Sequence, residues 1–177
     1  MNTRSPQPEG AATANLAECQ IAVAYEGAFE RDRVMRLLQN LGQRFTCELV
    51  FSCTWWKFRY LRDPDIALVA RHYASAADIV IFATDTPGLF PLPVMNWIES
   101  WAAARGKPGG LLVPLIGSPN IPAQLYSTKH FYLRHVAERS KMDYLPANAL
   151  NSGWLSPLTG AKAPLQPHPA PSPAPVS

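Results

Sequence analysis

Short, unbroken apolar segments alternate along this chain with segments whose apolar residues recur every three to four positions. The clearest instance runs from Ala77 to Trp101. Ile79-Val80-Ile81-Phe82-Ala83 is continuous, β-branched and aromatic, as expected of a strand covered on both faces in a parallel sheet. Thr84-Asp85-Thr86-Pro87-Gly88 then supplies turn-forming residues, with Gly88 available for positive φ. Pro91 and Pro93 suit a helix N-terminus, and Val94, Ile98, Trp101 and Ala102 follow on one helical face. Gly106 to Gly110, with Lys107 and Pro108 between, ends that helix.

The same strand, loop and helix logic appears earlier. Ile21 to Tyr25 reads as a central strand, Glu26-Gly27-Ala28 breaks it, and Val34, Leu37, Leu38 and Leu41 predict a helix from Phe29 to Leu41 capped by Gly42. Phe45 to Trp56 reads as a strand near a sheet edge, with Trp55 and Trp56 pointing to opposite faces. Asp63-Pro64 opens a helix whose buried face would hold Ile66, Val69, Ala70, Tyr73 and Ala74. Beyond the central unit, Leu111 to Gly117 forms another apolar run, and Pro114 within it predicts a bulge. Ser127 or Thr128 would cap a helix carrying Phe131, Tyr132, Val136 and Ala137, and Met142 to Leu145 reads as a last short strand. On the central helix Trp101 fits the buried stripe better than Trp97.

Five strands alternating with four helices imply parallel βαβ crossovers and an α/β three-layer sandwich, a five-stranded parallel sheet with helices on both faces in the order 2-1-3-4-5. In such a sheet ligands bind beyond the strand carboxyl ends, at the switch point between the first and third strands. Three loops should converge there: Tyr25 to Ala28, Thr84 to Phe90, and Gly117 to Pro122. Candidate ligand-binding residues are Tyr25, Glu26, Thr84, Asp85, Thr86, Gly88, Leu89, Phe90, Gly117 and Ser118; no catalytic or metal-ligating residue is assigned.

Composition narrows the classes. At 177 residues and 47% hydrophobic, the chain suits one domain. Residues 1–18 read as a disordered arm, 19–150 as the domain, and 151–177 as a Pro-rich, polyproline-like disordered tail. A net charge of +3 with 16% charged residues lacks the clustered basic footprint of a nucleic-acid binder. No apolar stretch approaches the roughly 20 residues of a membrane span. Cys19, Cys47 and Cys53 cannot all pair and form no CxxC, which fits small buried or half-buried thiols in a reducing cytoplasm. His72, His130, His135 and His168 lack metal-ligand spacing, and His72 and His135 fit helix surfaces. Glu26 and Asp85 alone fall short of the acidic cluster of a phosphoacceptor receiver domain, and Lys141 precedes the last strand instead of following it.

Ile81-Phe82-Ala83-Thr84-Asp85-Thr86-Pro87, running on through Pro91 to Trp101, resembles the flavodoxin-like flavoprotein superfamily of flavodoxins and small NAD(P)H-dependent FMN or quinone reductases. The resemblance in element order covers Ile21 to Leu145. It implies that Thr84, Thr86, Leu89 and Phe90 line an isoalloxazine ring, with Gly117-Ser118 on its other side, and it makes FMN the cofactor to test. The first loop departs from that pattern. Phosphate cradles use hydroxyl and backbone donors at a helix N-terminus. Tyr25-Glu26-Gly27-Ala28-Phe29-Glu30 offers no hydroxyl beyond Tyr25, and Glu26 and Glu30 would each repel phosphate by about 1 to 4 kcal/mol. Arg31 and Arg33 compensate only if they turn back toward the loop. Two readings follow: a domain binding flavin or a related planar ligand in a redox role, and a cofactor-free interaction or regulatory module with a protein partner or a second copy, its contact surfaces an aromatic patch formed by one of Trp55 and Trp56 with Phe58 and Tyr60, and the Pro-rich tail.

Overall fold

The computed structural model describes residues 17–44 and 49–146. Five parallel strands lie in the order β2-β1-β3-β4-β5. They are β1 (Ala17–Tyr25), β2 (Leu49–Lys57), β3 (Ile79–Thr84), β4 (Leu111–Ile116) and β5 (Asp143–Tyr144). Four helices alternate with them: α1 (Ala28–Arg44), α2 (Pro64–Ala76), α3 (Leu92–Ala104) and α4 (Ser127–Arg139). This is the flavodoxin-like α/β arrangement. Single 3-10 turns, Phe58–Arg62 and Ala123–Tyr126, lead into α2 and α4.

The period of two along each strand sorts the core into two layers. Ala22, Ala24, Val80, Phe82 and Leu112 face α2, α3 and α4, where Ala70, Ala74, Trp97, Ile98, Trp101, Leu133 and Val136 complete one cluster. Ile21, Val23, Ile81, Ala83, Val113 and Leu115 face α1 and its Val34 and Leu37. Because the central strands are buried on both faces, their sequences read as unbroken apolar runs. Trp55 and Trp56 divide in the same way. Trp55 meets Tyr25 edge-on in the α1 layer, Trp56 packs on Tyr73 of α2, and both are half-buried.

Several local expectations are corrected. Helix α1 continues through Gly42, which therefore does not cap it. On α2 the buried residues are Ala70 and Ala74, while Val69 and Tyr73 are exposed, because two alanines on adjacent turns let the helix approach its neighbours closely. Trp97 is buried alongside Trp101, their ring centroids 6.3 Å apart. On α4 the inward residues are Lys129, Leu133, Val136 and Ala137, and Phe131 is 71% exposed. Neither Ser127 nor Thr128 caps α4: the preceding 3-10 turn leads straight into it, and the Ser127 hydroxyl donates back to the Gln124 carbonyl.

Pro114 makes no bulge. Its pairing with Phe82 continues the uninterrupted β3–β4 register. Odd-numbered residues of β4 direct their backbone groups to β3, as the Leu111 and Gly117 amides show, and even-numbered ones face β5, as the Leu112 carbonyl shows. The missing Pro114 donor therefore faces the side where β5 has already ended. A proline is tolerated in a strand where no partner needs its N–H.

At the amino ends of the strands, Asp78 accepts from the Gln20 amide and from Lys107 Nζ. Arg105 donates to the Ser75, Ala77 and Gly109 carbonyls nearby. Strand β1 begins at Ala17, two residues before the expected domain start at Cys19. Residues 1–16 of the arm, Phe45 to Thr46 of the expected second strand, Cys47, His168 and the tail at 151–177 lie outside the described residues. No described helix is long and apolar enough to cross a membrane.

Candidate functional site

The chain leaves β1 at Tyr25 and β3 at Thr84, adjacent strands whose following turns meet as the strand order requires. The Glu26 amide donates to the Ala83 carbonyl at 3.0 Å, and the Gly117 amide donates to the Thr84 carbonyl at 3.0 Å. All three expected loops thus meet at one end of the sheet.

Glu26 sits at the centre. Its Oε2 accepts from the Thr84 hydroxyl at 2.5 Å and its Oε1 from the Thr86 hydroxyl at 2.8 Å. One carboxylate thereby ties the first loop to the second. Thr84 Oγ1 also accepts from the Thr86 amide at 3.3 Å, tightening the turn after β3. From α4, the Lys129 ammonium donates to the Thr86 carbonyl and reaches Thr84 Oγ1 at 3.5 Å. It also lies 5.1 Å from the centre of the Phe90 ring, within cation–π range. Burial pulls the Lys129 pKa down, and the charges of Glu26 and Asp85 work against that fall. Tyr126 closes the outer side, its hydroxyl donating to the Asp85 carbonyl at 2.7 Å.

The remaining candidate residues divide into a buried and an exposed set. Thr84 is 0% and Phe90 4% exposed, and Phe90 packs against Phe58, Phe82 and Tyr132. Leu89 is 62% exposed, and Gly88, at φ +80°, donates its amide to the Leu125 carbonyl. Gly117, at φ +120°, accepts from Arg33 Nη1 at 2.8 Å. The carbonyl of half-buried Ser118 receives the Ile121 amide. Tyr25 is half-buried against Trp55, away from the Glu26 carboxylate's contacts.

Lys129 and Tyr126 stand outside the candidate loops as the sequence reads. The sequence carries a signal for Lys129: it stands four, seven and eight residues before Leu133, Val136 and Ala137, in phase with the buried face. A lysine on an apolar stripe is a buried cation that needs acceptors. Lys141, by contrast, lies at the opposite end of the sheet, where its carbonyl receives the Gly109 amide.

The residues do not fit FMN. The first loop presents the Glu26 carboxylate, and buried Glu30 lies behind Gly27, where an added Cβ would meet Glu30 Oε2 at 2.7 Å. Arg31 and Arg33 do not neutralise this loop: Arg31 stacks over Trp55 at 5.6 Å and Arg33 binds the Gly117 carbonyl. Of the side chains that would line a flavin ring, Thr84 and Phe90 are sealed in the core. Among the described residues, no three His, Cys, Asp or Glu side chains are grouped to hold a metal ion. Cys19 and Cys53 are free and half-buried, and burial raises both thiol pKa values.

No family model matches the sequence. No curated protein matches it either. Among solved structures, the chain is similar to the crystal structure of a flavodoxin-like domain from a Synechococcus species, with 14% sequence identity, 71% of this chain and 79% of that chain covered, and a TM-score of 0.40.

Proposed function

We propose that the chain is a cofactor-free flavodoxin-like domain, an interaction or regulatory module that works by contact with a protein partner and not by flavin redox chemistry. The observation that carries this reading is the Glu26 carboxylate bonded to Thr84 and Thr86, in the place where a flavin phosphate and ring edge would need donors and open space. A dianion entering that loop would have to displace these bonds and approach a carboxylate in a partly buried setting. Charge repulsion of about 1 to 4 kcal/mol per carboxylate opposes it.

A contact role draws support from the same end of the sheet. Phe29 at the start of α1, Leu89 and Leu92 around the start of α3, and Leu125 before α4 are 55%, 62%, 69% and 53% exposed. Several large apolar side chains on loops at one end of a domain favour a protein surface as the occupant. The competing reading, a flavin or related planar ligand held by these loops, draws on the strand order and on the resemblance carried by Ile81 to Pro87 and the helix that follows.

The two readings separate in one experiment on the purified full chain. The contact reading predicts a colourless protein that leaves the fluorescence of added FMN and its own melting temperature unchanged up to millimolar FMN. A yellow protein, or saturable quenching of FMN with a rise in melting temperature, would overturn it, because a ligand bound only by the folded state must stabilise that state.

A further inference from the structure

Outside the strand-end network, α4 and the edge of β4 that no described strand covers border a second recess, an open cavity of about 470 Å³. Its origin is the β4–β5 register. Leu112 pairs with Tyr144, and the Leu145 amide donates to the Leu112 carbonyl at 3.0 Å. β5 ends at Tyr144, so among the described residues the position where residue 114 would donate has no partner strand, and proline has no N–H to offer there. The backbone edge at Pro114 and Ile116 consequently has no strand beside it among the described residues, and both residues line the cavity.

The opposite wall is α4, which contributes Ser127, His130 and Arg134, with Tyr144 at one end. His130 Nδ1 and the Tyr144 hydroxyl are 2.7 Å apart, and the Arg134 guanidinium lies 5.3 Å from the Tyr144 ring centre. No carboxylate is among the lining residues, and Arg134 forms no ion pair among the described residues. Apolar surface from Pro114, Ile116 and the tyrosine ring thus faces an unpaired cation and a tyrosine–histidine pair. Small-molecule sites have this composition, mostly apolar with a few convergent polar groups, and volumes of about 300 to 1,000 Å³.

We propose that this cavity is a binding site for a small carboxylate with an apolar, aromatic or branched body, its carboxylate on Arg134 and its body against Pro114, Ile116 and Tyr144. A peptide adding as a strand is the poorer occupant, because strand addition relies on edge donors and Pro114 removes one from the edge it would pair with. A free anion lacking an apolar body would leave the hydrophobic wall wet. The site lies apart from Glu26 and Thr84, so it does not depend on whether the strand ends take a flavin.

The test is a titration of the isotope-labelled full chain with 1-naphthoate, followed by amide shifts and calorimetry. The proposal expects saturable binding with the largest shifts at Ile116, His130 and Tyr144. Arg134→Gln should weaken it by about tenfold or more, as should replacing the probe with acetate or with neutral 1-naphthol, because charge-assisted contact and apolar burial each contribute at least that factor. Arg134 is exposed on its helix, so the variant should fold; Ser127→Trp, which fills the cavity without touching the charge, is the second variant and should also abolish binding. No saturation, equal affinity in Arg134→Gln, or shifts confined to other surfaces would overturn the proposal.

Discussion

Burying the Lys129 ammonium removes its hydration, and that loss depresses its pKa even with Glu26 and Asp85 nearby. Because Lys129→Met leaves the Thr86 carbonyl without its donor and Glu26 without its nearby cation, the variant should cost about 1 to 3 kcal/mol. Lys129→Ala, which also opens a cavity, should cost on the order of 2 to 4 kcal/mol. Chemical denaturation of both variants checks this, and equal losses would show that the lost bonds to Thr86 and Thr84, and not the cavity, carry the cost. His130 supplies a pH effect. Burial first, and the charge of Arg134 second, hold its pKa below the ordinary histidine value. Its neutral form is favoured in the folded state, so its contribution is complete above a pH of about 6.5 and is lost as pH falls through the lower folded value. Stability measured against pH should fall across that window in the parent and fall less in His130→Gln; identical profiles would contradict the assignment. At this scale the sequence was only partly legible. Glu26, Thr84 and Thr86 could be placed at one site from loop positions, but their bonds to one another depend on rotamers, and Lys129 comes from a helix whose distance in sequence hides its proximity.

Helices and strands were more legible because each depends on a local period. Asp63 was read as an N-cap before Pro64, and its carboxylate accepts from the Asp65 and Ile66 amides at 2.9 and 3.3 Å. Asp63→Ala should therefore cost about 1 kcal/mol, seen as a lower urea midpoint with unchanged slope. No loss would mean that the 3-10 turn before α2 fixes the helix start unaided. Period misleads where packing overrides it. Val69, Tyr73 and Phe131 lie within helical apolar patterns yet face solvent, because Ala70, Ala74 and Leu133 give closer approach to the layers beneath. Pro114 predicts a bulge by the rule that a strand between two others needs every donor. The register leaves its donor position facing an edge that β5 does not reach, so a local rule failed for a reason visible only in three dimensions.

At the scale of the whole molecule, the alternation of apolar runs and helical stripes led to the observed strand order. The order in turn located the junction of the Glu26, Thr84 and Gly117 loops. It did not carry the chemistry of that junction, since the same topology accommodates a phosphate cradle or a carboxylate latch, and the difference lies in a few side chains. The Glu26 carboxylate, bonded to the Thr84 and Thr86 hydroxyls, ties the first loop to the second at the strand ends. A double-mutant cycle on Glu26→Gln and Thr84→Val, read by urea denaturation, tests that tie most directly. Both changes preserve shape while removing the carboxylate charge or the hydroxyl donor. The cycle should give a coupling of about 1 to 3 kcal/mol, as for partners in one hydrogen-bonded network. Losses that add to within about 0.5 kcal/mol would show that Glu26 and Thr84 act independently, leaving the loops free to open for a ligand.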